Sequence, residues 1–395
     1  GRFDSFNWRP HLQPNQAEKI VTPYIFRRLL LIIPTLLGIM LTNFLVIQTA
    51  PGGPVEQAIA QLSGHSNAIT ERVTKTGSQE TLSEVSTSKN LDSSSSTPYR
   101  GAQGLDPEFI KELEVRFGFD KPLHERFLKM MSDYLVFDFG KSFYRDTDVV
   151  DLVLEKLPVS ISLGLWTTLI VYLISVPLGI RKAVADGSQF DMVSSFAIII
   201  GTAIPGFLFA VFMMVIFAGG SYLDWFPLRG LQSEEYLSKS AFECAANLGC
   251  VKDYFWHLAL PILSMVIGGF AGLTMLTKNS FMDQIHQQYV LTARAKGLTE
   301  KRVLYGHVFR NAMLIVIAGF PSALVSILFT GSLLIEIIFS LDGLGLLGFE
   351  AAFSRDYPLM FGSLFFFSLL GLTMNLIGDV MYMVIDPRID FESQS

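Results

Sequence analysis

Residues 279–313 read NSFMDQIHQQYVLTARAKGLTEKRVLYGHVFRNAM and separate two long apolar stretches of the chain. The segment is predicted to form two short helices joined by a tight turn. The first helix ends at Gly297, because glycine accepts the left-handed conformation that follows a helix C-terminus. Thr299 is placed to cap the second helix, and Leu298 has the spacing to pack on Val303. Such a helix pair would present a rigid projection to another protein.

The apolar stretches on either side of this segment belong to a set of six. Crossing about 30 Å of hydrocarbon takes about 20 predominantly apolar residues. Six stretches meet that length, near residues 25–48, 158–180, 192–217, 257–278, 312–338 and 358–384. Prolines 34, 177, 205, 261 and 321 are expected to bend the helices that contain them. The sequence therefore predicts an all-α integral membrane protein with six transmembrane helices.

The composition supports this class. Of the 395 residues, 50% are hydrophobic and 17% are charged, whereas about 25% are charged in an average soluble protein. This balance disfavours a soluble enzyme. The net charge of −6 disfavours a nucleic-acid partner, since such binders carry clustered basic surfaces.

Lysine and arginine predict the orientation, because cytoplasmic loops carry an excess of both. The segments 1–28, 181–191, 278–311 and 385–395 hold 14 of these residues, and the short loops 218–256 and 340–357 hold 4. Both termini are therefore expected in the cytoplasm.

Five regions follow from this layout. A cytoplasmic extension (1–24) precedes the first transmembrane helix (25–48). A periplasmic insert (49–157) carries a Ser/Thr-rich tract, 74–98, expected to be disordered, and then two short helices, the second over 121–136. A five-helix transmembrane domain follows (158–384), which includes a cytoplasmic loop (279–311), and the chain ends in a cytoplasmic tail (385–395).

Several functions stay open on the residues alone. No complete Walker A sequence occurs in the chain, so it is not expected to hydrolyse ATP by that route. An intramembrane enzyme would need paired ionisable or nucleophilic residues, and the spans offer none that converge. A gated channel that needs no ATPase is an alternative to a docking role for the loop 279–311, whose basic residues could also serve topology and lipid contact.

Three further features have two interpretations each. Glu336 lies in an apolar stretch, where an acid is costly, and would act either in gating or the transport pathway, or as a helix cap or interface contact. Asp379 and nearby Arg388 are candidates for an interfacial ion pair. Cys244 and Cys250 lie in a loop expected outside the cytoplasm, where disulfides persist, and would either pair or remain free.

Several motifs resemble one family of transport proteins. The run QYVLTARAKGL resembles the EAA-type coupling loop of bacterial ABC importer permeases, in the form used by B-type subunits of dipeptide and oligopeptide importers. Further matches are RRLLLIIPTLLGI, APGGP, LPVSISLGLWTTLI, IPGFLFA, HVFRNAM, GSLLIEIIFSLDGLG, SRDYPLMFG and DPRID, which cover most of the chain from about residue 25. The insert is similar to that of the YejB branch, whose members import oligopeptides and the peptide-nucleotide antibiotic microcin C.

This resemblance implies a function and a set of partners. It implies a type I ABC importer transmembrane fold in the bacterial inner membrane, paired as a heterodimer with a homologous C-type permease. Two ABC ATPase domains would bind ATP and Mg²⁺, and a periplasmic binding protein would deliver peptide, so no cofactor or metal is expected in this chain. Transport would proceed by alternating access. The residues implied to contact the ATPase are Tyr289, Thr292, Ala293, Arg294, Ala295, Lys296, Gly297 and Leu298.

Overall fold

A computed structural model describes residues 14–49, 111, 120–218, 220, 222–236, 241–329 and 333–385. The start of the N-terminal extension, the tract 74–98, the first helix of the insert, Arg388 and the C-terminal tail lie outside these residues. Over the described part of the chain the elements are helices and loops. The α-helices are α1 (Pro14–Thr49), α2 (Leu123–Leu135), α3 (Val149–Val184), α4 (Gln189–Ala203), α5 (Gly206–Phe217), α6 (Ala241–Ala245), α7 (Leu248–Ile285), α8 (Gln288–Ala295), α9 (Glu300–Val303), α10 (Phe309–Ala318), α11 (Phe320–Phe329), α12 (Leu333–Ile338), α13 (Leu344–Ser354) and α14 (Tyr357–Ile385).

The apolar helices confirm the predicted class. Among the described residues, five helical stretches are long and apolar enough to cross a membrane, and a bent pair of shorter helices makes a sixth if it is counted as one span. That pair is α4 and α5, which meet at an angle of 84°. The break falls at Ile204, which is extended because the ring of Pro205 disfavours a helical conformation in the residue before it. Helices α3 and α7 run without interruption through Pro177 and Pro261.

The fifth span differs from the prediction. The helical stretch that carries it begins at Glu300 and α11 ends at Phe329, whereas the prediction placed the span at 312–338. The polar residues of α9 were assigned to a loop helix, but α9 leads into a π-helix at Leu304–Val308 and then directly into α10. The second helix of the predicted pair and the fifth span are therefore continuous.

The chain divides into two compact units. The first contains the described residues within 1–36, 153–347 and 366–395, and the second contains those within 37–152 and 348–365. One apolar cluster of the first unit joins α3, α5, α7 and α12 through residues such as Leu163, Ala210, Leu258 and Ile335. This cluster lies toward the start of α7. A second cluster, described with the site below, lies toward its end.

Helices α3 and α7 approach each other closely at Gly179. A Cβ atom built on Gly179 would lie 2.6 Å from the Cβ of Thr277 and 2.8 Å from the carbonyl oxygen of Thr274. Nearby, the hydroxyl of Ser175 donates to the carbonyl oxygen of Phe270 at 2.9 Å. The missing side chain of Gly179 thus permits the two backbones to pack at this distance.

We expect Gly179→Ala to destabilise the protein by about 1–3 kcal/mol, the usual cost of inserting a methyl group into a filled contact. The obstructing atoms are backbone and Cβ atoms, which cannot rotate away. The measurement is the thermal unfolding midpoint of the purified protein in detergent. Gly38→Ala is the matched control, since nothing lies within 4 Å of a Cβ atom at Gly38. Equal midpoints for the two variants would contradict the close approach.

The second unit has an aromatic core. Tyr134 of α2 packs edge-on against Phe139 and Phe365, with ring centroids 4.8 and 5.4 Å away. Buried Asp356, just before α14, accepts hydrogen bonds from the hydroxyl of Ser142 and, at 3.2 Å, from the backbone N–H of Phe143. These contacts hold the loop after α2 against the start of α14.

Candidate functional site

The turn between α8 and α9 has the predicted glycine geometry. Gly297 adopts a left-handed conformation with φ +79°. Its N–H donates to the carbonyl oxygen of Arg294 at 2.9 Å, and the N–H of Leu298 donates to that of Ala293 at 3.4 Å. This pair of bonds is the Schellman arrangement, which satisfies carbonyls that a helix end leaves unpaired. The turn is therefore a defined structure.

The start of α9 differs from the prediction in one respect. Thr299 occupies the N-cap position with extended backbone, but its side chain makes no capping hydrogen bond. An ion pair spans the turn instead: Nε of Arg294 lies 3.0 Å from Oε1 of Glu300. The carboxylate of Glu300 is also well placed in the first turn of α9, where negative charge is favourable.

The inner side of this helix pair is packed into the first unit. Val290 and Ala293 of α8 and Val303 of α9 share a buried cluster with Ile180 of α3 and Phe281 of α7. Leu298 packs against the same cluster, as predicted from its spacing to Val303. We call this set the anchor cluster, and its other members are Ala183, Val308, Ala312, Met313 and Val316. It fixes the helix pair to the ends of three apolar helices.

The predicted contact residues divide by exposure. Ala293 is 6% exposed and supports the pair from inside, so its side chain offers no surface to a partner. Tyr289 and Leu298 are half-buried, and the hydroxyl of Tyr289 donates to Oε1 of Gln284 at 2.9 Å. The exposed ones are Thr292, Arg294, Ala295, Lys296 and Gly297.

The structure adds one residue to this surface. Leu291 is exposed, although leucine is ordinarily buried. Its spacing of four residues from Ala295 places both on one face of α8. In the sequence, Leu291 is an apolar residue that does not share a helix face with Val290 and Ala293, and this pattern was the signal of its exposure. We name the exposed set Leu291, Thr292, Arg294, Ala295, Lys296 and Gly297 the coupling apex.

A buried ionic cluster lies close to the base of this element, and the sequence reasoning missed it. Lys182 of α3 is 0% exposed, and its Nζ lies 2.9 Å from Oδ1 of Asp191 in α4. Lys278 of α7 lies 2.7 Å from Oδ2 of the same carboxylate and 2.8 Å from Oδ1 of Asp186. The hydroxyls of Ser194 and Ser195 also accept from Lys182, at 2.8 and 2.7 Å. Asp191 thus joins α3, α4 and α7.

Comparisons with known proteins decide the family. A model for the binding-protein-dependent transport system inner membrane component matches residues 175–391, which include the anchor cluster and the coupling apex. The chain is 58% identical to the peptidoglycan transport system permease protein YejB of Agrobacterium fabrum, over 93% of this chain and 98% of the relative. This chain belongs to that transport family. The predicted resemblance to ABC importer permeases is therefore confirmed.

Other relatives of the permease agree over nearly its whole length. It is 56% identical to the inner membrane ABC transporter permease protein YejB of Escherichia coli O157:H7, over 94% of this chain and 99% of the relative. It is 32% identical to the oligopeptide transport system permease protein AppB of Bacillus subtilis, over 93% and 99%. A solved structure of the MetNI methionine ABC transporter aligns with 60% of this chain and 97% of that chain, at 14% identity and a TM-score of 0.46.

Two acidic residues of the permease that were singled out from the sequence have partners within the chain. Glu336 is fully buried, and its Oε2 accepts a hydrogen bond from the backbone N–H of Leu346 at 2.7 Å, in the first turn of α13. A Cβ atom on Gly343 would lie 2.5 Å from this carboxylate, so the glycine leaves room for it. Asp379 lies 3.3 Å from Arg28 of α1, and Arg388 is outside the described residues.

The cysteines of the permease form a disulfide between Cys244 and Cys250, with Cα atoms 5.2 Å apart. The amide of Gln232 donates to the sulfur of Cys244 at 3.2 Å. Next to it, Asp253 of α7 accepts from the backbone N–H and the hydroxyl of Ser233, both at 2.7 Å. These contacts attach the loop before α6 to the start of α7.

Proposed function

We propose that the chain is one of two permease subunits of an ATP-driven importer of oligopeptides. A homologous C-type permease would complete the translocation pathway, two ABC ATPase domains with bound ATP and Mg²⁺ would supply the energy, and a periplasmic binding protein would deliver the cargo. Alternating access would follow from rigid-body rocking of the helices when the ATPases close.

The observation that carries this proposal is the combination of an exposed apex with a fixed base. The coupling apex presents a small-residue surface flanked by Arg294 and Lys296, both exposed. Directly beneath it, Val290, Ala293 and Val303 are locked into the anchor cluster. A force applied to the apex would therefore move the ends of α3, α7 and α10 and would not be absorbed by a flexible loop.

The distribution of aromatic residues supports the proposed orientation. Tyr222, Trp225 and Trp256 are exposed near the end of α5 and the start of α7, and the ring of Trp256 stacks on Phe226 at 4.5 Å. Tyrosine and tryptophan favour membrane interfaces. The opposite end of α7 leads to Lys278 and the basic loop, so we assign that end and both termini to the cytoplasm, in the inner membrane.

Peptide cargo is the proposal that best agrees with the relatives. Two of them are named for oligopeptide or peptidoglycan transport. We propose an oligopeptide substrate, which in the YejB branch would include conjugates such as microcin C. Selectivity would depend mainly on the binding protein, because the pathway is shared between two subunits.

Crosslinking tests the docking role. We expect a photoreactive group on Lys296→Cys to crosslink to the ATPase subunit when the transporter is assembled with its partners in membranes. Both native cysteines are in a disulfide, so the introduced thiol is labelled selectively. The same group on Trp225→Cys is the control and should give no ATPase adduct. Adducts with lipid alone at position 296, or ATPase adducts from position 225, would contradict the proposal.

A further inference from the structure

Helix α2 is amphipathic in an unusual way. Its apolar residues Leu123, Phe127, Leu128, Met130, Met131, Tyr134 and Leu135 lie within one arc of about 160° when they are placed at 3.6 residues per turn, and exposed His124 is the one polar residue inside that arc. Exposed Glu125, Lys129 and Ser132 lie on the remaining arc. The apolar arc is wider than a helix needs to cover one neighbouring surface.

The inner part of the arc packs within the second unit. The ring of Phe127 lies 5.3 Å from that of Phe44 in α1, and Tyr134 contacts Phe365 of α14 at 5.4 Å. Burial, and next the charge of neighbouring Asp133, raise the pKa of the Tyr134 phenol well above its usual range. This side of α2 is therefore dry and faces the ends of two membrane-spanning helices.

The outer part of the arc is exposed in the part of the chain that the structure describes. Leu128 and Leu135, seven residues apart on the same face, are 65% and 71% exposed. The apolar surface continues into Val136, which is 75% exposed, and into Phe137, whose φ of +60° is uncommon for a bulky residue. Phe137 is 56% exposed, but its ring also packs edge-on against Phe139 and Phe365 at 6.1 and 6.3 Å, so it joins this exposed surface to the packed face. We call Leu128, Leu135, Val136 and Phe137 the outer strip.

The depth of α2 along its neighbours indicates what surrounds the outer strip. Phe44 lies five residues before the end of α1, and Phe365 lies eight residues after the start of α14. At 1.5 Å per residue, these contacts are about 8 and 12 Å from the helix ends. The apolar stretches of α1 and α14, near residues 25–48 and 358–384, are the parts of these helices suited to hydrocarbon, and Phe44 and Phe365 lie four and seven residues inside their ends. The contacts of α2 thus fall below the hydrocarbon boundary.

We propose that the outer strip of α2 binds lipid at the boundary between headgroups and acyl chains. A helix that lies in this plane against a bundle meets protein on one side, lipid below and water above. That arrangement requires an apolar arc wider than its protein contact and a polar arc opposite, as α2 has. Interfacial helices of this kind bury their apolar face about 5–10 Å into the boundary. Exposed Lys121 and Lys129 suit anionic headgroups.

This assignment concerns a surface separate from the coupling apex and does not depend on the docking role. A protein partner from the aqueous phase would not cover the outer strip, because it would have to reach below the ends of α1 and α14. We therefore assign lipid as the occupant and use both water and protein as outcomes of the test.

Spin-label accessibility tests the proposal in the assembled transporter in nanodiscs that contain anionic lipid. Single labels are placed at Leu128→Cys and Leu135→Cys, with matched controls at Lys129→Cys and Ser132→Cys on the polar arc of the same helix. For each label we measure the collision rate with oxygen, which concentrates in lipid, and the collision rate with a water-soluble nickel complex. We expect the ratio of the oxygen rate to the nickel rate to be several-fold higher at positions 128 and 135 than at positions 129 and 132. Equal ratios would overturn the proposal in favour of water. Low collision rates with both reagents at 128 and 135 would overturn it in favour of a protein partner.

The unmodified protein gives a second measurement, in case the labelled variants fail to assemble. A lipid with a photoactivatable group near its headgroup should crosslink to the peptide that contains residues 123–136. Labelling of the ends of α1 and α14 without labelling of this peptide would also overturn the proposal.

Discussion

Gly297→Asp is expected to lower peptide uptake and transport-stimulated ATP hydrolysis by about tenfold or more, while membrane insertion and complex assembly stay near normal. Nothing lies within 4 Å of a Cβ atom at this position, so the new side chain meets no atom of the chain itself. Asparagine and aspartate also tolerate positive φ better than other residues. The aspartate instead places bulk and negative charge at the centre of the coupling apex. Loss of about 1.4 kcal/mol of docking or transition-state energy corresponds to the tenfold decrease.

The chain offers a matched control for this variant. Gly140 also has a positive φ, +73°, and nothing lies within 4 Å of its Cβ position. Gly140→Asp therefore makes the same change in the same backbone conformation, far along the chain from the apex. We expect it to transport normally. Uptake is measured with a labelled peptide in cells, and ATP hydrolysis in proteoliposomes. Full transport activity of Gly297→Asp would contradict the docking role. An equal loss of activity in both variants would mean that backbone strain causes the effect.

Asp191→Ala is expected to destabilise the folded chain by about 3–5 kcal/mol, because it leaves a buried cation without its counter-ion. Lys182 would keep its hydroxyl partners and the backbone carbonyl of residue 191, but its charge would be uncompensated. Lys278 would retain Asp186 alone. The measurement is the midpoint of thermal aggregation in detergent, followed by size-exclusion chromatography, and it should fall by several degrees.

Two companion variants separate charge from packing. Lys182→Met combined with Asp191→Asn removes one charge of each sign, and we expect it to recover part of the lost stability, because a buried pair is often replaceable by apolar groups. Glu300→Gln breaks the ion pair between Arg294 and Glu300, whose side chains are 40% and 74% exposed respectively. Because the pair is exposed, this variant should lose less than about 1 kcal/mol of folding stability. If the Asp191→Ala variant unfolds at the wild-type temperature, the ionic cluster does not hold α3, α4 and α7 together.

The parts of the structure that the sequence predicts well are those set by local composition. The spans follow from the length of apolar stretches, and the end of α8 follows from Gly297, since glycine adopts that backbone conformation at the lowest cost. The packing of Leu298 near Val303 follows from their spacing of five residues, so the sequence predicts it equally well. These features need no knowledge of distant contacts.

The missed features depend on residues far apart in the chain. Asp191 and Lys278 are 87 residues apart, and nothing near Asp191 in the sequence indicates a second cation. The helix of the fifth span begins earlier than the sequence predicts, because the charged residues of α9 resemble a loop although the helix continues through them. The burial of Ala293 was missed because a small residue is compatible with both a docking surface and a packed interior.

The π-helix at Leu304–Val308 has a consequence for how movement at the apex reaches the membrane. Each wide turn of this kind accommodates one residue more than an α-turn, and such turns are frequent at functional sites. If the extra residue were taken up into regular α-helical register, everything on one side would rotate about the axis by about 100° relative to the other. Under the proposed docking role, a small axial push at the apex would then reach the membrane as a twist and change which side chains of this helix face the proposed transport pathway.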